Sequence, residues 1–186
     1  MDKTVLVAVA NGSEEMETVT IIDVLRRAGL AVVVASVQTQ QITCSRGVKL
    51  VADKEIKDCL DEDFDMIALP GGVPGADNLR DSAELIELLN KQKNANRYYA
   101  AICASPAVVF QSHGLLEGTK ATCYPAFMEQ LNSDAKSESR VVVDGYCVTS
   151  RGPGTAIDFS LKLVELLISY EKAKEVADAM LVDYEL

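Results

Sequence analysis

Unbroken apolar runs alternate with amphipathic stretches along most of this chain. "KTVLVAVA" and "AVVVASV" are continuous runs of β-branched and small apolar residues, the pattern of strands buried on both faces. Between them, "GSEEMETVTIIDVLRRAG" has the length of a helix, offers Asn11 or Ser13 as N-cap and ends at Gly29. The three segments predict a βαβ unit. "ITCSRGVKLVAD" predicts two short strands set apart as an antiparallel excursion. "DMIALPGG" predicts a buried strand running into a glycine turn, "SAELIELLNKQ" a helix, "YYAAIC" a strand and "ASPAVVFQSH" a helix. A further short strand is expected in "KATCYPAF" and a hairpin through Asp144-Gly145 in "RVVVDGYCVTS". "GTAIDFSLKLVELLISYEKAKEVADAML" reads as helical to near its end. Strands alternating with helices give an α/β sandwich around a largely parallel sheet. Ligands of such folds sit at the carboxyl ends of the strands. Here those ends are Ala10-Asn11-Gly12, Pro70-Gly71-Gly72 and Cys103, so the three loops are expected to meet.

Cys103 lies where a strand passes into a helix. A helix N-terminus carries roughly +0.5 elementary charge and unpaired N–H groups, and both favour thiolate. Pro106 suits a first helical turn, where its missing donor has no intrahelical partner anyway. A small buried hydrophobe is the alternative reading of Cys103. Packing is the better account of Cys44, Cys123 and Cys147, which sit in strand-like runs. Glu17 adds weight to the functional reading. On a helical wheel at ~100° per residue, Ile21, Val24, Leu25 and Ala28 share one side, and Glu17 falls in the middle of it. Glu14 and Glu15 read as ordinary acidic residues of a first turn. A carboxylate in an apolar stripe must be paired, protonated or functional. It points toward the strand ends, where it and Cys103 can share one proton.

"LPGGVPGA" matches no phosphate-binding fingerprint. Its glycines allow a backbone N–H to face the cleft as an oxyanion donor, or form a plain tight turn. The single histidine, His113, lies about 15 Å of helical rise beyond Cys103 and reads as a helix C-terminal residue beside Gly114. A Cys-His-Asp/Glu triad is therefore not expected, which argues against a peptidase or an amidotransferase.

Composition narrows the class. The 186 residues suit one domain spanning 1–186, and 48% hydrophobic with 25% charged residues suits a packed core. A net charge of −10 argues against a nucleic-acid groove or an anionic membrane surface as partner. No apolar run reaches the ~20 residues of a membrane span, and the N-terminus reads as a first strand rather than a signal peptide. Five cysteines with no C-x-x-C spacing favour reduced thiols and a cytoplasmic location, with the nucleus open as well.

"GSEEMETV", "VLRRAG", "CSRGVKL", "LPGG", "AAICASPA", "LLEGTKATCYP" and "TSRGPGTAIDF" follow one another along nearly the whole chain. In that order they closely resemble the ThiJ/PfpI superfamily, in its Parkinson-disease-protein branch of glutathione-independent glyoxalases and protein deglycases. "KATCYPAFMEQL" looks most like plant-type members. The resemblance implies a flavodoxin-like three-layer sandwich with a nucleophile elbow, a homodimer, and no metal or other cofactor. It implies an oxidation-prone nucleophile at Cys103, its partner carboxyl at Glu17, and an oxyanion-binding backbone at Gly71 and Gly72. Ala104, Tyr124 and Pro153 are implied around the substrate, and Arg27 and Arg46 in the intersubunit network. Animal members have a histidine where this chain has Tyr124, and PfpI-type peptidases have one where it has Ala104. Imidazole is thus not expected beside the cysteine. Two functions remain. One is conversion of methylglyoxal and glyoxal to lactate and glycolate through a cysteine hemithioacetal, with deglycase activity on glycated amines. The other is an oxidative-stress sensor or redox-regulated chaperone built on the same two residues.

Overall fold

The computed structural model describes residues 3–132 and 136–184. Its central sheet has seven strands: β1 (Thr4–Val9), β2 (Ala31–Ser36), β5 (Lys54–Glu55), β6 (Met66–Leu69), β7 (Tyr98–Ile102), β8 (Val141–Asp144) and β9 (Cys147–Ser150). Their order across the sheet is β5-β2-β1-β6-β7-β9-β8, with every pair parallel except β8 and β9. β3 (Gln41–Thr43) and β4 (Lys49–Val51) form the expected antiparallel hairpin apart from it. The helices are α1 (Glu15–Arg27), α2 (Gly75–Arg80), α3 (Ala83–Asn94), α4 (Ala156–Leu167) and α5 (Tyr170–Ala179). This is the α/β sandwich read from the alternation of runs, in the flavodoxin-like form implied by the resemblance.

The two cores explain why β1 is apolar from Val5 to Val9. Val5, Val7 and Val9 enter one core with Ile21, Val24 and Leu25 of α1 and with Phe159, Leu163 and Val164 of α4. Leu6, Ala8 and Ala10 enter the other with Leu85, Leu88 and Leu89 of α3. Successive side chains of a strand point to opposite faces, so a strand covered on both sides has no position left for water. From β1 the chain winds outward to β2 and β5; after β6 it winds the other way, to β7 and beyond. The reversal between β1 and β6 is a topological switch point, and the loops leaving β1, β6 and β7 gather beside it.

Local structure departs from the sequence reading in several places. The N-cap of α1 is Glu14, whose carboxylate accepts the Glu17 N–H at 2.8 Å, rather than Asn11 or Ser13. Those two are occupied elsewhere: Ser13 Oγ accepts from Ala10 N–H, and Asn11 Oδ1 from Thr43 N–H. After Cys103 the chain makes one π-helical turn, Pro106–Phe110, and a 3-10 turn, Gln111–His113, instead of a regular helix. "KATCYPAF" holds only an isolated bridge from Ala121 to Lys136, followed by a 3-10 helix over Pro125–Gln130. The C-terminal helix is two, because Ser169 caps α5 by accepting the Lys172 N–H. α2 and the two-residue β5 carry too little periodicity to be read from sequence.

Glu15 lies in the first turn of α1 as expected, but it is more than an ordinary first-turn acid. It is buried, with Oε1 accepting the Arg46 N–H at 2.8 Å and Oε2 accepting the Ser45 hydroxyl at 2.9 Å. The turn between β3 and β4 thereby wraps a carboxylate, and Ser45 N–H donates to Ser13 O to lock the hairpin onto the loop after β1. Burial alone would raise the pKa of Glu15, but its hydrogen bonds outweigh burial and hold it below the ordinary value. Such a group stabilises the fold above its unfolded pKa, and the contribution is lost as pH falls through its lowered value. Glu15→Gln is expected to cost about 2 kcal/mol at pH 7. In denaturant titrations the difference from the parent chain should shrink below about pH 4, and a difference constant down to pH 3 contradicts this role.

Candidate active site

Three neighbouring strand ends build the site. Cys103 follows β7 directly and has φ +65°, a left-handed conformation that costs a non-glycine residue roughly 1–2 kcal/mol. Both ends of its peptide unit are held: its N–H donates to Ser150 O at 3.0 Å, and its carbonyl accepts the Tyr124 N–H at 2.8 Å. Ser105 Oγ donates to Pro70 O at 2.6 Å, fastening the turn after Cys103 to the loop after β6. Cys103 is thus a strained, clamped elbow, and its side chain is only 8% exposed.

Glu17 is fully buried in α1. Its Oε2 accepts the Gly71 N–H at 2.7 Å, while Oε1 is buried with no partner of its own. The Cys103 sulfur is close enough for the two groups to shift one another's pKa. Packing here leaves no slack. A β-carbon on Gly71 would come 2.6 Å from Cys103 Cβ and 3.0 Å from Glu17 Oε2. Gly72, at φ +92°, presses on the loop after β1, where an added β-carbon would lie 2.6 Å from Glu14 N. Glu14 N–H in turn donates to Gly71 O at 2.9 Å.

Electrostatics couple the pair. Burial pushes Glu17 up to about 7, against the pull of the Gly71 N–H. Burial and then the negative charge of Glu17 push Cys103 up to about 12, while the N–H groups of Gly72 and Ala104 draw it back. The easily ionised thiol expected from a helix dipole is therefore not what the surroundings produce, since burial and the Glu17 charge outweigh the N–H groups facing the sulfur. Between the two values the pair holds one proton. Gly71 N–H favours the carboxylate form, and Gly72 and Ala104 N–H favour the thiolate form.

The site residues read from the sequence divide accordingly. Cys103, Glu17, Gly72 and Ala104 come together around the sulfur. Gly71 is there too, but its N–H is committed to Glu17 and is not free for an oxyanion. Tyr124 is 43% exposed, with its ring against Gly152, and Pro153 follows in a 3-10 turn. Arg46 reaches Glu15 through its backbone N–H, and its side chain is exposed. Arg27 ends α1, exposed, and pairs with Asp23 at 2.6 Å. His113 donates to Arg80 O and takes no part. The sequence reading missed Ser105, a hydroxyl directly after the elbow, and Glu15.

A family model described as DJ-1/PfpI matches residues 3–166. The chain belongs to the DJ-1/PfpI family. It is 50% identical over 182 residues to "Protein DJ-1 homolog B" of Arabidopsis thaliana, covering 97% of this chain and 42% of that protein. This chain thus spans less than half the length of that plant relative. It is 35% identical over 166 residues to "Glutathione-independent glyoxalase DJR-1.2" of Caenorhabditis elegans, covering 88% of each. Among solved structures, "Toxoplasma gondii DJ-1, oxidized" superposes with a TM-score of 0.97 at 53% identity, covering 98% of this chain and all of that one.

The raised pKa of Glu17 has a consequence in this DJ-1/PfpI chain that needs no substrate. A carboxyl with a folded pKa of about 7 keeps its proton in the folded state after the unfolded chain has released it. Its contribution is fully present below the unfolded pKa of ~4.3 and is lost as pH rises through 7, a swing of about 4 kcal/mol. Melting temperatures should fall from pH 5 to pH 8, and Glu17→Gln should flatten that slope. An unchanged slope in the variant would mean that Glu17 is ionised throughout.

Proposed function

We propose that this protein is a glutathione-independent glyoxalase acting on small 1,2-dicarbonyls such as methylglyoxal and glyoxal. The observation that carries the reading is the buried Glu17 carboxyl, anchored by Gly71 N–H and sharing one proton with a clamped cysteine. Cys103 thiolate adds to the aldehyde carbon, the Gly72 and Ala104 N–H groups steady the new oxygen, and Glu17 gives it its proton to complete the hemithioacetal, leaving a carboxylate. The Glu17 carboxylate then takes the hydrogen from that carbon and returns it to the neighbouring carbon through an enediolate. The product is a thioester of the 2-hydroxy acid. Water cleaves it, releasing lactate or glycolate and restoring the thiol. Substrate plus one water equals product, so neither oxidant nor glutathione enters. Deglycase activity on early dicarbonyl adducts of amines uses the same groups. The name of the nematode relative supports this reading, and five unpaired buried cysteines suit a cytoplasmic setting.

A second reading rests on the same protonated carboxyl. Glu17 can donate its O–H to a sulfinate on Cys103 and so hold an oxidised, sensing form. The Toxoplasma relative was solved oxidised. One assay separates the two: lactate from methylglyoxal, in amine-free buffer without glutathione. The parent chain should turn over, Cys103→Ser should fall to the protein-free rate, and Glu17→Gln should lose at least ~100-fold. A parent chain no faster than the protein-free control removes the enzyme reading and leaves the sensor.

The protein is further proposed to work as a homodimer. Met16 and Val19 on α1, with Val48 and Val51 on the β3–β4 hairpin, are 47–73% exposed. Val19 and Val51, with Ile22, Val34 and Leu50, line a 320 Å³ groove whose rim carries Asp23, Arg26 and Asp53. Apolar residues gathered on one face mark an interaction surface. Sedimentation should give a dimer mass for the parent chain and a monomer mass for Met16→Glu/Val51→Glu. A monomeric parent chain at micromolar concentration rules the dimer out.

A further inference from the structure

Three hydrogen bonds close a ring through Glu14, Gly71 and Glu17. Glu14 N–H donates to Gly71 O at 2.9 Å, Gly71 N–H to Glu17 Oε2 at 2.7 Å, and Glu17 N–H to Glu14 Oε2 at 2.8 Å. The Glu14 carbonyl is held as well, by Thr18 N–H at 3.0 Å and Thr18 Oγ1 at 2.7 Å. The half-buried Glu14 carboxylate is therefore fixed on the backbone of the residue whose own carboxyl is coupled to the sulfur. A helix cap needs no such charge, because Ser and Asn accept the same N–H at least as well. A helix N-terminus favours an acid, yet this acid stands three residues from a buried carboxyl, where a second negative charge is repelled.

Among the described residues, two titratable side chains act on Glu17: Cys103 from the elbow and Glu14 from the start of its own helix. The loop after β6 contributes backbone, through Gly71. β1 and α4 bring Val5, Val7, Val9, Phe159 and Leu163 to this core, and Glu15 turns away into the β3–β4 turn. Cys44 in that turn feels the same acid: burial, then the charges of Glu15 and Glu14, push its thiol up to about 11.

We infer that Glu14 is a positioning residue for the Cys103–Glu17 pair: its backbone and carboxylate seat the Gly71–Glu17 bond, and its negative charge disfavours a second charge on Glu17. The inference concerns the site of the dicarbonyl reading and rests on that reading for its use in turnover. Glu17 has two tasks there, giving a proton to the hemithioacetal oxygen and then taking the hydrogen from carbon. Both run best when its affinity for a proton lies near the working pH, not at the ~4.3 of an exposed glutamate. Burial supplies most of that displacement, and the Glu14 charge adds to it. Neutralising Glu14 makes the pair lose its first proton at lower pH. The ring of hydrogen bonds survives the change, since an amide oxygen also accepts the Glu17 N–H.

The test reads the pair without a dicarbonyl, as the rate at which iodoacetamide alkylates Cys103 against pH on the full chain, scored by the mass of the Cys103 peptide. Below the inflection both groups hold their protons; above it one proton is shared and thiolate appears. The parent inflection is expected near pH 7. Glu14→Asp and Glu14→Asn cap a helix about equally well and differ by one charge. Glu14→Asp should keep the parent inflection, whereas Glu14→Asn and Glu14→Gln should move it to lower pH by about half a unit. Melting temperatures give a second readout, because their decline from pH 5 to pH 8 should begin at lower pH in Glu14→Asn than in Glu14→Asp. Equal inflections in the Asp and Asn variants overturn the inference, since the cap and not the charge would then be at work. An inflection unmoved in Glu14→Gln overturns it as well. Neither readout uses turnover, so a chain that leaves methylglyoxal untouched but shifts with Glu14→Asn keeps this role of Glu14 and sinks only the glyoxalase reading.

Discussion

One hydrogen bond organises this site: Gly71 N–H to Glu17 Oε2, 2.7 Å long and wholly buried. It joins a helix on one face of the sheet to the loop that leaves β6, and it sets which oxygen of the carboxyl remains for the sulfur. A buried carboxyl with one satisfied and one unsatisfied oxygen is unstable as a plain structural feature. Its neighbours must therefore be placed well enough to share a proton with the free oxygen. The glycine pair makes this placement possible, since any side chain at Gly71 would collide with both Cys103 and Glu17.

Around that bond the loops support one another. The loop after β1 is held by the β3–β4 hairpin through Ser13, Asn11 and the carboxylate of Glu15. The same loop holds Gly71 through Glu14 N–H and crowds Gly72. Gly72 then presents its N–H to the sulfur from one side, and Ala104, fixed by Ser105 on Pro70, does so from the other. Rigidity at the sulfur is thus inherited from backbone contacts among turns, not from the sheet alone. Preorganised donors of this kind need no rearrangement when charge develops.

The fold was legible because runs covered on both faces are almost wholly apolar, and β1 and β2 each carry one polar residue only at an end, Thr4 and Ser36. Glu17 was legible for the opposite reason: a carboxylate in the stripe of Ile21, Val24 and Leu25 breaks the pattern. Glu15 was not. Its partners are backbone N–H groups and one serine hydroxyl of a turn about thirty residues away, and the periodicity of α1 carries no trace of them. The division of labour between Gly71 and Gly72 was equally hidden, because it depends on which N–H each φ directs at the carboxyl and which at the sulfur. The segment after Cys103 looked helical by composition, yet hydrogen bonding there closes π and 3-10 turns that composition does not distinguish from an α-helix.

The left-handed backbone of Cys103 has a bearing on how this position changes over time. Glycine would sit there without strain, so folding stability alone pulls residue 103 toward glycine, and only use of the sulfur pulls it back. The two pressures act on a single φ angle. A descendant that kept the sandwich but abandoned the chemistry would gain stability by drifting to glycine, which makes the residue at this elbow a molecular record of whether a related chain still reacts.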